Sequence, residues 1–352
     1  MTTESASGQL RSRYDLLHGR RVLFILALVL GCLVLSVVSI GVGSVGIGYG
    51  DVIRTLFGDA PDVFVNSIIW NYRFPRVLMA LVAGVGLAVA GASMQGVLRN
   101  PLVDPFTLGI ASGASLGASM AIVLHFTLPG LEDYMIIGNA FVFSLMSSFL
   151  ILGLGRMRGV SPETFILVGI ALTFVFSALT GVLQYIASDA QIAELVSWSF
   201  GSLSRPTTYQ TIISLVVVGV CVPLLLSWSW RLNAVSLSGD EVAQSLGVNP
   251  GRLRVQVMVV SSIITASIIA FTGVLGFVGL VAPHIARLLV GGDHRYMMAV
   301  SGLLGAVLLL VSDIVGRTVI APTIIPVGIM LSLMGGPFFL YILMRKRGEF
   351  WK

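Results

Sequence analysis

Ten stretches of the chain, each about 17 to 30 residues long, carry almost no charged side chains, and short polar segments separate them. The hydrocarbon core of a bilayer is about 30 Å thick and needs about 20 apolar residues per helix. Because lipid offers the backbone no hydrogen-bonding partner, apolar stretches of this length predict helices. The predicted spans are residues 22–42, 75–96, 105–126, 134–155, 163–187, 207–228, 254–272, 274–292, 296–316 and 322–344.

The seventh and eighth spans share one run without charged residues, 255–286. As a single helix this run would be about 48 Å long at about 1.5 Å per residue, which exceeds one crossing of the bilayer. We therefore predict a break at Thr272-Gly273.

Composition and charge support a membrane protein and predict its orientation. Mean hydropathy is +0.97 and 11% of residues are charged, whereas soluble domains average about 25% charged residues. With ten spans, 16 of the 21 lysines and arginines lie on the side of the two termini, so the positive-inside rule predicts cytoplasmic termini. The net charge of +5 follows from this topology and predicts no nucleic-acid partner. We expect a polar cytoplasmic tail at 1–21 and a single domain at 22–352, in the plasma (inner) membrane.

Uncharged polar side chains form a stripe along the fifth predicted span. They recur at i, i+4, i+7, i+11 and i+15, which is one face of a helix. The stripe either hydrogen-bonds to a neighbouring helix or lines a translocation pathway. Because it carries no charge, such a pathway suits a large solute better than an ion that must be coordinated. The stripe consists of Thr173, Ser177, Thr180, Gln184 and Ser188.

Few charged residues are available inside the spans. Asp313 lies clearly within one, and Arg317 follows four residues later, where the two can pair on one helix. An ion-coupled secondary transporter of a large solute, the alternative function, would usually need more carboxylates in its spans. A Walker A motif is excluded because the only lysines are Lys346 and Lys352. Any ATP hydrolysis that drives transport must therefore occur on a separate chain.

The sequence does not predict an enzyme. No grouping of His, Asp, Ser or Cys has the spacing of a catalytic site, and the four histidines are too scattered for a metal site. Cys32 and Cys221 both lie within predicted spans and form no disulfide framework. We therefore expect no catalytic residues, no metal and no cofactor in this chain.

The largest predicted cytoplasmic loop, about 229–253, contains a short helix signal. Ser238 is a candidate N-cap, with Glu241 completing a capping box, and Gly247 is a candidate C-cap. An isolated helix of about two turns is marginal in water and needs a surface to pack against. That surface is either the end of the bundle or a partner protein.

Five segments together resemble one known family. They are RFPR at 73–76, GASMQGVLRNPLVDPFTLGIASGASLGA at 91–118, SGDEVAQSLGV at 238–248, GFVGLVAPHIARLLVGGDHR at 276–295 and DIVGRTVIAPTIIPVGIMLSLMGGPFF at 313–339. Their order and spacing resemble the permease subunits of type II ATP-binding-cassette (ABC) importers for iron-siderophores, haem and vitamin B12. The resemblance covers nearly the whole chain from about residue 30.

The resemblance implies an all-α integral membrane fold with ten helices per subunit, a homodimer, and a pathway at its two-fold interface. Two ATPase subunits, which would bind ATP and Mg, are expected on the cytoplasmic loops, and a substrate-binding protein on the other side of the membrane. The implied function is the import of an iron chelate (siderophore or haem) or cobalamin from that binding protein. This chain would be the permease subunit.

The resemblance also implies roles for particular residues. Arg73, Arg76 and Arg317 are expected to dock glutamates of the binding protein, and the stripe on the fifth span is expected to line the pathway. The loop between the sixth and seventh spans is expected to couple to the ATPases. Its expected coupling residues are Leu237, Ser238, Gly239, Asp240, Glu241, Ala243, Leu246 and Gly247.

Overall fold

A computed structural model gives the structure of the protein and describes residues 3–43, 45–125, 132–157 and 161–345. Those residues form α-helices joined by turns, with one π-helical turn, Ile69–Arg73, between α3 and α4. The helices are α1 (Thr3–Gly41), α2 (Tyr49–Leu56), α3 (Val63–Ile68), α4 (Phe74–Val97), α5 (Ile110–Leu124), α6 (Glu132–Met157), α7 (Pro162–Ile186), α8 (Asp189–Ser199), α9 (Thr208–Ser227), α10 (Ser229–Ser245), α11 (Pro250–Thr272), α12 (Val278–Val290), α13 (His294–Thr318) and α14 (Val327–Arg345).

Within the described part of the chain, seven helices are long and apolar enough to cross a bilayer. Three shorter apolar helices, α5, α12 and α14, lie at the third, eighth and tenth predicted spans. Each begins four or five residues later than predicted. Gly109 and Phe277, at φ of 78° and 67°, interrupt helical geometry before α5 and α12, and Pro326 directly precedes α14. The number of membrane crossings stays a prediction.

The predicted break between the seventh and eighth spans is confirmed. Helix α11 ends at Thr272, and Gly273 follows with φ 74° and ψ −163°. A Cβ atom at Gly273 would lie 2.2 Å from the Trp198 carbonyl oxygen. Both the backbone conformation and the close approach of α8 therefore require glycine here.

Helix α1 is longer than the first predicted span. It begins at Thr3, within the predicted tail at 1–21, and continues to Gly41. The His18 Nδ1 atom lies 2.5 Å from the Tyr296 hydroxyl, and the Arg21 guanidinium lies 4.9 Å from the centroid of the same ring. Residues 18–21 of α1 are thus attached to the first turn of α13.

Helix α4 occupies the centre of the bundle and packs against α9, α11, α12 and α13. A Cβ atom at Gly84 would lie 2.5 Å from the Ala306 Cα atom of α13, and one at Gly91 would lie 2.0 Å from the Gly279 carbonyl oxygen of α12. Small residues allow helix backbones to approach this closely in a membrane. Because α4 has 24 residues, it is about 36 Å long.

The two ends of α4 define two ends of the bundle. Its first turn carries Arg76, which lies beside Arg73 and Arg317 around one cavity; we call this the arginine end. Its last residue, Val97, contacts Arg254 beside the loop between α9 and α11; we call this the loop end.

Candidate functional site

The three arginines predicted to act together do converge at the arginine end. Arg73, Arg76 and Arg317 all line a cavity of about 770 Å³. Arg76 is at the start of α4, Arg73 closes the π-helical turn before it, and Arg317 is in the last turn of α13. The lining also includes Tyr72 and Pro322. The convergence predicted for these side chains is therefore observed.

Asp313 lies beneath this cavity and holds two of the arginines. Its Oδ1 atom is 2.7 Å from Arg76 Nη2, and its Oδ2 atom is 2.8 Å from Arg317 Nη2. The Asp313 side chain is 1% exposed, against 14% for Arg76. The predicted pairing of Asp313 with Arg317 is confirmed, while the contact with Arg76, 237 positions away, was not predicted. A buried carboxylate shared in this way fixes α4 against α13.

Arg73 and Arg317 also stabilise the end of α1. Arg73 donates to the carbonyl oxygens of Ile40 at 2.6 Å and Gly41 at 3.0 Å, and to that of Val45. Arg317 donates to the Val42 carbonyl oxygen at 2.7 Å. The last carbonyl groups of a helix have no intrahelical donor and form the negative end of its dipole. The two guanidinium groups supply both the hydrogen bonds and the positive charge.

Arg76 has a further contact that the sequence did not indicate. Its Nη1 atom donates to the Ser204 hydroxyl at 2.6 Å, in the segment between α8 and α9. The Ser202 amide of the same segment donates to the Thr272 carbonyl oxygen at 2.7 Å. The three arginines and Asp313 together carry a net charge of +2, so the arginine end favours an anionic partner.

The predicted polar stripe divides between two environments. Ser177 and Gln184 of α7 are exposed, whereas Thr173 and Thr180 are half-buried. Thr173 donates to the Gly169 carbonyl oxygen at 2.9 Å. That bond lies within α7 itself, so the described contacts of Thr173 give no hydrogen bond to a neighbouring helix, and Ser177 and Gln184 lie on an open face of α7. The role of the stripe stays a prediction.

Ser188 lies outside α7 and begins the next helix. Its hydroxyl accepts from the Gln191 amide at 3.4 Å, and the Gln191 side chain accepts from the Ser188 amide at 2.9 Å, which completes a capping box. The Gln191 amide group also donates to the Ile122 carbonyl oxygen at 3.1 Å, at the end of α5. This role of Gln191 was not predicted, because Ser188 was assigned to the polar stripe and not to a helix cap.

At the loop end, the predicted short helix forms with a different start. Helix α10 is interrupted at Gly239, where φ is 82° and ψ is 174°, so a short helix begins after Gly239 rather than after Ser238. The predicted capping box of Ser238 and Glu241 is wrong, because the residue that precedes the short helix is Gly239, whose positive φ only glycine readily adopts. The Gly247 stop is confirmed: φ is 80° and its amide donates to the Gln244 carbonyl oxygen at 2.9 Å.

We call residues 237–248 the coupling segment. Its two faces have different surroundings. Ala243 and Val248 are buried against the bundle, at 0% and 7% exposure. Leu237, Val242 and Leu246 are 69%, 47% and 52% exposed. The segment therefore packs on the bundle with one face and leaves an apolar face uncovered within the described structure.

Asp240 is paired rather than free in solution. Its two carboxylate oxygens lie 2.7 Å and 2.8 Å from Arg254 Nη2, and the Arg254 side chain is 3% exposed. The neighbouring Glu241 is exposed. The pairing of Asp240 was not predicted, because nothing local in the sequence marks Arg254 as a partner 14 positions away.

The first part of α10 is attached by a second polar group. Asn233 Nδ2 donates to Asp293 Oδ1 at 2.8 Å, and Asn233 Oδ1 accepts from the His294 amide at 2.8 Å. Hydrogen bonds from the Arg295 side chain are the main cause that lowers the pKa of Asp293 to about 2. Asp293 therefore remains ionised throughout the physiological range and keeps α10 fixed to the start of α13.

The sequence matches a known transport family over most of its length. Residues 30–345 match the FecCD transport family. The chain is 41% identical over 345 residues to a Methanocaldococcus jannaschii protein assigned as an ABC transporter permease, which covers 95% of this chain and 97% of that protein. The chain belongs to the FecCD transport family. The resemblance identified from five sequence segments is thereby confirmed.

Two further comparisons agree with membership of the FecCD family. The chain is 40% identical over 300 residues to the hemin transport system permease protein of Yersinia pestis, covering 84% of this chain and 89% of that protein. It superposes with a TM-score of 0.81 and 32% identity on an inward-facing ABC transporter assigned to the metal-chelate type, covering 92% of this chain and 99% of that one. This FecCD protein is thus a multi-pass membrane permease of an ABC importer.

We predict that Asp313→Asn destabilises the folded permease by about 3–5 kcal/mol, because the substitution leaves Arg76 and Arg317 buried without their shared counter-charge. Thermal unfolding of the purified protein in detergent, followed by size-exclusion chromatography, measures the effect. Asp59→Asn is the matched control, since Asp59 is exposed. Equal unfolding temperatures for the two variants would contradict a structural role for Asp313.

Proposed function

We propose that this FecCD permease imports an iron chelate (siderophore or haem) or cobalamin, delivered by an extracytoplasmic binding protein. Two separate ATPase subunits bind ATP and Mg and supply the energy. The observation that carries the proposal is that α4 joins two different candidate partner sites. One is the cavity with net charge +2 at the arginine end, and the other is the uncovered apolar face of the coupling segment. The similarity to a hemin permease supports the substrate class.

In this proposal, ten helices cross the membrane, with the loop end and both termini in the cytoplasm. The distribution of charge supports this orientation, since the ten predicted spans assign only five of the 21 basic residues to the side of the arginine end. The arginine end then faces the binding protein. This arrangement places α4 across the membrane between the two partners.

Two features of the arginine end support docking of a binding protein there: its net positive charge and the exposure of Arg76 to the cavity. Arg76 is partly exposed to the cavity and Asp313 neutralises only part of the local positive charge. A carboxylate from a binding protein would enter a site where arginine N–H groups are already oriented by hydrogen bonds. Such charge-assisted contacts are stronger than those between neutral groups.

A second copy of the chain would cover the open face of α7. Ser177 and Gln184 are exposed on a helix with the length and composition of a membrane span. Uncharged polar side chains on such a helix usually face a neighbouring helix or a water-filled path. In a homodimer with the pathway between the two copies of α7, the partner copy supplies the neighbouring helix and the pathway supplies the water-filled path.

Coupling to the ATPases rests on the uncovered face of the coupling segment. Val242 and Leu246 are exposed one turn apart on the short helix after Gly239, and Leu237 is exposed just before the break. Exposed large apolar side chains that lie near one another mark a protein interaction site. An ATPase subunit that covers these side chains would bind the exposed face of the segment. Because α10 also packs on α4, the ATPase would then be connected to α4.

We expect proteoliposomes that contain this permease, its ATPase and its binding protein to take up the bound chelate only with ATP. Mass spectrometry of the ligand that co-purifies with the binding protein identifies the substrate, which we expect to be a ferric siderophore, haem or cobalamin. A hydrolysis-deficient ATPase subunit is the control. Uptake that follows an imposed proton or sodium gradient without ATP would contradict the proposal and support a secondary transporter.

We expect Arg76→Gln to weaken docking of the binding protein by about 2–5 kcal/mol, as for loss of one partner in a buried charge pair. The affinity is measured on nanodisc-embedded permease at low and high salt. Arg54→Gln is the control, because Arg54 is an exposed arginine predicted on the same side. Arg73 and Arg317 also hold the end of α1 and Arg76 also pairs with Asp313, so the more exposed Arg76 is chosen and affinity is expressed per folded permease. Equal affinity of Arg76→Gln and wild type would place the docking site elsewhere.

We expect Leu246→Asp to reduce co-purification of the ATPase subunit by about tenfold or more, which corresponds to about 1.4 kcal/mol. The reason is that an exposed apolar contact becomes a charge that must be desolvated on binding. Ser245→Asp is the matched control on the same helix, where an exposed polar side chain is replaced. Retention of the ATPase by Leu246→Asp would show that the coupling segment is not the binding surface.

A further inference from the structure

One buried arginine attaches the coupling segment to the bundle. Arg254 lies in the second turn of α11 and is 2% exposed as a residue. Its Nη2 atom contacts both carboxylate oxygens of Asp240, the first residue after the break in α10. A buried guanidinium needs such a partner, because an unmatched charge in a low-dielectric interior is strongly unfavourable.

The same guanidinium also contacts the end of α4. Arg254 Nε donates to the Val97 carbonyl oxygen at 3.3 Å. Arg99, two residues later, has a positive φ of 49°, and its Nη1 atom would lie 3.3 Å from a Cβ atom at Gly239. Arg254 of α11 and Arg99 of the turn after α4 therefore both lie beside the break in α10.

The ends of α4 and α11 thus meet at one charged group beneath the coupling segment. The buried apolar residues of the segment itself are Ala243 and Val248.

We propose that Arg254 is a positioning residue that holds the coupling segment on α4 and α11 and passes its movement into the bundle. The proposal rests on the proposed function, because it assumes that an ATPase moves the segment. A helix of about two turns is marginal alone, and apolar contacts slide easily. The paired contact of Arg254 with Asp240 is directional, so a displacement of the segment pulls on the ends of both helices.

The attachment is tested on the purified permease without partners, by hydrogen exchange of the amides at 240–248. Arg254→Gln and Asp240→Asn should each speed this exchange by about tenfold or more, because the segment opens locally. Arg252→Gln and Glu241→Gln are matched controls, being an exposed arginine on the same helix and the exposed neighbour of Asp240. Unchanged exchange in Arg254→Gln and Asp240→Asn would overturn the attachment.

The transmission is tested with the reconstituted importer. The measured ratio is the substrate transported per ATP hydrolysed, and both rates are normalised to the amount of folded permease. We expect this ratio to fall about tenfold in Asp240→Asn and in Arg254→Gln, and no further in the double variant, since the two residues act as one unit. A purely structural role would lower the amount of folded protein and leave the ratio unchanged, which would overturn the proposal. Asp240 is a third exposed, so Asp240→Asn remains informative if Arg254→Gln does not fold.

The two tests separate this inference from the proposed function. Failure of the wild-type importer to transport with any ATPase would refute the function, while the exchange measurement would still decide whether Arg254 holds the segment. Normal transport per ATP in variants with fast exchange would refute only the transmission.

Discussion

Buried arginines must be matched by acceptors from within the protein, and this constraint fixes both ends of the bundle. At the arginine end, Asp313 of α13 holds Arg76 of α4. At the loop end, Asp240 holds Arg254 of α11, which also contacts Val97 of α4. Because loss of either partner would leave a buried charge, each pair specifies which helices are neighbours. The position of α4, and with it the separation of the two candidate partner sites, follows from these pairs.

Between the two ends, α4 has little freedom to deform. Its glycines bring its backbone into contact with the backbones of α12 and α13, where even one added carbon atom at Gly84 or Gly91 would clash. Closely packed interiors transmit displacement instead of absorbing it. A movement imposed at the coupling segment is therefore expected to reach the arginine end through α4. This gives a physical basis for communication between two partners on opposite sides of a membrane.

Hydropathy predicted where the helices lie, because apolar length is a property that the sequence displays directly. It also allowed the break at Thr272-Gly273 to be predicted, since one helix could not accommodate the whole run. The late start of α12 could not be predicted, because it depends on the positive φ of Phe277, a residue type that rarely adopts it. The contact of Arg254 with Asp240 was missed for a different reason: counting arginines by side says nothing about their partners.

The arginines that depart from the positive-inside rule indicate where the protein needs specific acceptors or partners. The predicted topology places five arginines on the less basic side, and of these Arg54 is exposed. Arg205 donates to the Ser197 carbonyl oxygen at 3.2 Å, and the other three form the cluster around the cavity. The positive-inside rule does not account for a basic residue on that side. Its charge is therefore expected to be matched by a specific acceptor within the protein or by a partner. The cluster has one carboxylate for three arginines, and carbonyl oxygens at the end of α1 supply the other acceptors of Arg73 and Arg317. Arg76, whose side chain is more exposed than that of Arg317, is therefore the arginine best placed to meet a carboxylate in the proposed docking.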